Sequence, residues 1–226
     1  MFAVKLIYGV VMQGALFGLL LFVPARTLAW PRAWVFIGGI MMATVATMLY
    51  LRNNEGLINE RLKGPLQKGQ PLVDKIVLNL FLVTFCGVIM FIPLDVFRFH
   101  LMAGPGTFVS MLGLGLVAAG WWLIALALHE NAFAAPVVKY QEERHQRVID
   151  SGVYSRVRHP MYAGGVPFII GTCLWLGSYA AALLAVVPIG AIALRIQIEE
   201  RFLRQELDGY KAYTERTRYR LIPYLW

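Results

Sequence analysis

Five long uncharged stretches constrain this chain more than any other feature. Residues 6–23, 33–51, 76–94 and 106–128 each run about 18–23 residues without Asp, Glu, Lys or Arg. An α-helix rises about 1.5 Å per residue and the hydrocarbon layer of a bilayer is about 30 Å thick, so each stretch can span it. The fifth stretch, residues 160–194, would reach about 52 Å as one helix and overshoot. Its middle reads Leu176-Gly177-Ser178-Tyr179, a turn signal, so two shorter helices in a tight hairpin are predicted. Pro167 and Pro188 are expected to kink those helices, which neighbouring helices make tolerable. Only 15% of the residues are charged and 58% are hydrophobic, whereas a soluble domain carries about 25% charged residues. The expected fold is all-α: a polytopic membrane protein of six helical passes.

The first apolar stretch is longer than the h-region of a signal peptide and reads as a retained helix. Cys86 and Cys173 lie inside apolar stretches and make neither a disulfide framework nor a metal pattern, and no metal ligand is assigned. Six passes place both termini on one side. That side collects every Lys and Arg except Arg26, Arg32 and Arg98, so the positive-inside rule predicts N-in and C-in. The net charge of +8 is therefore a topology signal and an attraction to anionic headgroups. The basic residues border membrane helices and mix with acidic ones, which argues against nucleic-acid binding.

The chain divides in character near residue 128. Residues 1–128 read as a four-helix transmembrane scaffold, with Trp30, Trp34, Trp121 and Trp122 as interfacial or packing aromatics. Residues 129–226 carry the chemistry: a polar segment, the hairpin, and an amphipathic Tyr-rich end from Tyr210 to Trp226 lying at the interface. Arg195 and Glu199 are four apart on one helix face, with Glu200 turned about 100° away. They read either as an ion pair at the headgroup level or as part of a site. The hairpin would return Arg158 and His159 to the same membrane face, so that one pocket holds a His, two Arg and a carboxylate. Pro160 suits the first turn of the helix that follows, whose N-terminus favours an anionic group nearby. No Gly-rich strand–turn–helix is present, which excludes a Rossmann cofactor site.

Gly152-Val153-Tyr154, Arg158-His159-Pro160-Met161-Tyr162-Ala163-Gly164, Arg195 to Glu200, and Tyr210-x-x-Tyr213 followed by Leu221-Ile222-Pro223 stand in that order. This ordered set resembles the isoprenylcysteine carboxyl methyltransferase family, in the superfamily that includes phospholipid N-methyltransferases. The resemblance covers roughly residues 129–225 and implies an integral membrane enzyme using S-adenosylmethionine. By position it places cofactor contacts on Gln146, Arg147, Val148, Ile149, Tyr154, His159, Pro160, Met161, Tyr162 and Glu199, and the substrate-side arginine on Arg195. Arg195 and Glu199 are the expected catalytic pair. Where the family often has His, this chain has Gln146, with His145 beside it, and a further family glutamine aligns with Lys139 or Gln141.

The expected reaction is direct methylation of a carboxylate on a prenylated or other lipophilic acceptor, entering sideways from among the membrane lipids. Three rivals stand beside it: an amine or phospholipid N-methyltransferase, a sterol-type reductase using NADPH, and a non-enzymatic membrane protein. Small size and short loops favour a bacterial inner membrane, with the site facing the cytoplasm.

Overall fold

A computed structural model describes residues 2–67 and 69–226; Lys68, one of the cations counted towards topology, lies outside the described residues. The long helices are α1 (Phe2–Ala25), α2 (Pro31–Tyr50), α4 (Leu72–Leu94) and α5 (Thr107–Glu130). A short amphipathic helix, α3 (Glu55–Leu62), lies between α2 and α4. The hairpin is α6 (Pro160–Leu176) against α7 (Tyr179–Leu184) and α8 (Val186–Glu206), and α9 (Tyr210–Arg216) follows. The described residues form helices and turns with no strand.

Five helices are long and apolar enough to cross a membrane, counting α7 and α8 as one. The sixth expected crossing falls on α6, which at 17 residues is shorter than the others. The protein is thus a multi-pass membrane protein. Gly177, at a φ of 106° that L side chains rarely adopt, ends α6 and turns the chain. The Ser178 hydroxyl then accepts from Ala181 N–H to start α7 and donates to Asp95 at 2.6 Å. Pro188 cannot donate to the carbonyl four residues back, and the second arm breaks at Ala185, between α7 and α8. Pro167 is accommodated inside a continuous α6, so a break is found at one of the two prolines.

Lipid tails are as apolar as leucine, so helix pairs in a bilayer hold by close packing rather than by hydrophobic exclusion. Helices α5 and α6 meet through a seam of glycines in antiparallel register. A Cβ on Gly120 would lie 2.5 Å from the Gly164 carbonyl oxygen, and one on Gly171 would lie 2.5 Å from that of Gly113. The seam brings the backbones together along the pair. Phe168, Ile169, Cys173 and Leu176 of α6 enter a core shared with α1, α2 and α4, including Leu21, Phe36, Ile89 and Ile92. Helix α4 in turn packs along α8.

One end of this bundle gathers the polar segments. Lys5 of α1 donates to Asn59 of α3 at 2.7 Å, and α3 packs Leu57 and Ile58 against Leu51 and Leu128. The segment between α5 and α6 and the tail after α9 lie at the same end, so the segments expected to share a membrane side are together. The Tyr-rich end is helical only over Tyr210–Arg216, where Tyr210 and Tyr213 are buried beside Leu207 while Lys211, Ala212, Glu215 and Arg216 are exposed.

Candidate active site at one end of the bundle

The residues before α6 have no regular structure to satisfy their backbone groups, and side chains do so instead. Gln141 is buried, its amide donating to Phe133 O at 2.7 Å and its carbonyl accepting from Arg144 at 2.6 Å. Gln146 closes the loop by accepting from Gln141 N–H at 2.9 Å. These bonds shape residues 131–149 into one wall of a cavity of about 850 Å³, its open mouth included.

The cavity is lined by Gln146, Arg147, Val148, Ile149, Tyr154, His159, Pro160, Met161, Tyr162, Arg195 and Glu199, every position singled out from the sequence. Lys139 lines it too, whereas Gln141 supports the wall from behind, and neighbouring His145 is not among the lining residues. Asn131, Phe133, Val137, Val138, Leu203 and Leu207, which the sequence does not single out, also line it, together with Tyr210 and Tyr213 of the ordered motif. Burial pushes the Tyr154, Tyr210 and Tyr213 phenols well above their usual range, so they stay neutral donors at physiological pH. The Tyr213 hydroxyl donates to Tyr154 O at 2.7 Å, fixing the tail against the wall.

The charged residues pair differently from the simple helical expectation. Arg195 does not bridge Glu199. It reaches back to Asp74 in the first turn of α4, Nε to Oδ1 at 3.0 Å, and donates to Pro136 O at 2.6 Å. Asp74 is fully buried and also accepts from Val138 N–H at 3.0 Å and from Gln70 at 2.7 Å. Glu199 accepts from the Tyr162 hydroxyl at 2.8 Å, and no cation of the described residues lies within bridging distance of it. A carboxylate in a cavity, held by one neutral donor, is available to a cationic group.

Glu200 is the more heavily engaged of the two glutamates. Arg158 Nε sits 2.6 Å from its Oε1, Arg220 Nε 3.1 Å from its Oε2, and His159 Nε2 3.2 Å from Oε1. Arg158 also donates to Thr217 O and Arg218 O, at 2.7 and 2.8 Å. Backbone N–H groups of Arg158 and His159 donate to Tyr219 O and Arg220 O, both at 2.9 Å. The tail is thereby tied to the start of α6, and the His159 ring is held at the cavity wall.

Helical spacing does not point to Asp74 or to the role of Glu200. Asp74 lies 121 residues from its partner, in a half that reads as scaffold; a lone carboxylate starting an apolar helix is the available signal. Glu200 is turned away from Arg195 on the helix, and Arg220, which covers it, follows 20 residues later, beyond the reach of helical spacing.

The donor set fits S-adenosylmethionine: an available carboxylate for its cationic groups, flat aromatic faces and apolar side chains for its ring, and backbone of 146–149 beside them.

Residues 106–208 match the family described as phospholipid methyltransferase. Protein-S-isoprenylcysteine O-methyltransferase B of Arabidopsis thaliana is 36% identical over 82 residues, covering 35% of this chain and 42% of that protein. Protein-S-isoprenylcysteine O-methyltransferase of Schizosaccharomyces pombe is 31% identical over 107 residues, covering 46% of this chain and 45% of that protein. The chain thus spans less than half the length of these curated relatives. The matched stretch contains the polar wall, the α6 start with its Arg-His-Pro-x-Tyr run, and the Arg195–Glu200 helix. Over this stretch the chain is similar to the phospholipid methyltransferase family and to two protein-S-isoprenylcysteine O-methyltransferases.

Proposed function

We propose that this protein is a membrane methyltransferase that uses S-adenosylmethionine to O-methylate the carboxylate of an isoprenylcysteine-like, lipophilic acceptor. The observation that carries the reading is the convergence of 146–149, Tyr154, 159–162, Arg195 and Glu199 on one cavity at the end of an apolar helix bundle. The relatives' names supply the acceptor class.

S-adenosylmethionine, when bound, supplies a methyl group already activated on a sulfonium. A carboxylate is a nucleophile at neutral pH, so neither partner needs a strong acid or base from the protein. The residues align, exclude water and desolvate, which supplies most of the rate. Tyr154, Tyr210 and the 146–149 backbone would hold the ring system, and Glu199, steadied by Tyr162, would face the cationic side. Arg195, its Nε taken by Asp74 and one Nη2 N–H by Pro136 O, would offer its remaining N–H groups to the acceptor carboxylate. An apolar groove between α2 and α5, lined by Phe36, Ile40, Ala43, Val117 and Trp121, gives a lipid tail a lateral path. The cationic bias supports a cytoplasmic face for the site.

The test is methyl transfer by protein purified in detergent, from radiolabelled S-adenosylmethionine to a farnesylated cysteine with a free carboxylate. Base-labile label in the product is expected, because alkali cleaves a methyl ester. Base-stable label on phosphatidylethanolamine instead would overturn O-methylation in favour of N-methylation, the reaction that the matched family's name points to. Absence of transfer to either acceptor would overturn both.

A further inference from the structure

Helix α3 packs beside the cavity, and several of its residues touch side chains of the cavity wall. Glu60 is buried and pairs with Lys139 of the cavity wall at 2.7 Å, and also with Lys63. Gly56 lies against Arg144, where a Cβ would come within 2.8 Å of the guanidinium. Leu57 packs into the cluster that Met161 of the cavity joins. The next residue in this pattern is Arg61. Its Nη1 points at the Met161 sulfur, 3.4 Å away. A thioether is a weak acceptor, so that contact leaves the guanidinium's donors largely unused.

Arg61 forms no ion pair among the described residues, although Arg195, Lys139, Arg158 and Arg220 of the same region all do. Met161 sits beside Tyr162 in the cavity lining that also holds Arg195, so the Arg61 guanidinium stands at the edge of the same site. Arg61 is exposed, so its unused N–H groups face outward beside Met161, where an anion can reach them. The planar guanidinium fork suits a carboxylate in particular. The apolar groove ends at Tyr50, close in sequence to α3, so a tail lying there would bring its head group towards Arg61.

We propose that Arg61 is an acceptor-binding residue that engages the acceptor's carboxylate from the α3 side, opposite Arg195, and so selects anionic acceptors over neutral ones. This inference rests on the carboxyl methyltransferase reading above. It makes α3 a specificity element, within a half of the chain that reads as scaffold from the sequence.

The experiment separates binding from turnover. Equilibrium binding of S-farnesylcysteine and of its neutral methyl ester is measured on the full chain in detergent, for the native protein, Arg61→Ala and Arg61→Lys. S-adenosylhomocysteine affinity and thermal stability are measured alongside. The native protein is expected to bind the acid at least about tenfold more tightly than the ester, the scale of a charge-assisted hydrogen bond. Arg61→Ala should lose most of that preference, Arg61→Lys should keep part of it, and neither should change S-adenosylhomocysteine affinity more than about twofold. Equal acid and ester binding by the native protein, or an unchanged preference in Arg61→Ala, overturns the proposal. A loss of S-adenosylhomocysteine affinity in place of acid affinity overturns it as well, by assigning Arg61 to the cofactor's carboxylate. Native protein that prefers the acid through Arg61 yet transfers no methyl to it would sink the enzymatic reading and leave anion recognition standing.

Discussion

Asp74 and Arg195 form a buried ion pair across 121 residues of sequence, with the arginine Nε 3.0 Å from the aspartate Oδ1. The same carboxylate accepts from Val138 N–H, so one side chain of α4 sets both the arginine of α8 and the wall opposite it. Removing one member of a buried pair strands the other charge, at about 3–5 kcal/mol, whereas replacing both with apolar groups is often neutral. Asp74→Ala should therefore lower stability by about that amount, and Asp74→Ala with Arg195→Met should recover much of it. Methyl transfer should stay absent in both. Thermal unfolding in detergent with a parallel activity assay checks this, and an Asp74→Ala protein as stable as the native one would contradict it.

Glu200 should behave as the tie that holds the tail. Glu200→Gln keeps the shape but leaves Arg158 and Arg220 without a counter-charge. The expected outcome is faster amide exchange over residues 217–226 together with weaker S-adenosylhomocysteine binding, through loss of the His159 and Tyr213 positions. Exchange confined to the protein's other end would speak against the tie.

The glycine seam gives a sharper contrast. Gly164→Ala places a methyl 2.5 Å from Gly120 O, while a Cβ on Gly115 would meet nothing within 4 Å. Overpacking of this kind costs about 1–3 kcal/mol. Thermal unfolding should therefore shift in Gly164→Ala and stay unchanged in Gly115→Ala; equal effects would dismiss the seam.

Much of this arrangement can be read from residue order, and the reasons are physical. Uncharged length announces a span, and Gly177-Ser178 in the middle of 160–194 announces a turn, because both signals are local. The cavity-lining residues 146–149, Tyr154 and 159–162 follow from one ordered motif that stays close in the chain. Long-range pairing leaves no such trace. Nothing near Asp74 indicates that its partner is Arg195, and nothing near Glu200 indicates that Arg220 will cover it. Helix spacing gives the angle between Glu199 and Glu200 but not which face the rest of the chain will bury. The break in the second hairpin arm at Ala185, and the continuity of α6 through Pro167, depend on neighbours in the same way.

Glu60 links stability to pH. Burial pushes its carboxyl upward, but Lys139 and Lys63 outweigh that and hold it below its ordinary value. A carboxylate with a depressed folded value contributes stability above its unfolded value, near about 4.3, and loses it as pH falls through the folded one. Native protein should thus lose more thermal stability than Glu60→Gln as pH drops below about 5. Parallel acid-limb unfolding curves for the two proteins would refute this.

The unequal ends of the glycine seam have a consequence for depth. From the Gly113–Gly171 contact, α5 and α6 run nearly equal distances to their far ends at Thr107 and Leu176. From the Gly120–Gly164 contact, α5 continues to Glu130 while α6 starts at Pro160, an overhang of six residues or about 9 Å. The floor of the cavity is therefore sunk below the rim of the bundle, like a well cut into the membrane surface. On the proposed function, an amphiphile would not need to be lifted out of its leaflet to reach that floor, and the water-soluble reactant would make the descent.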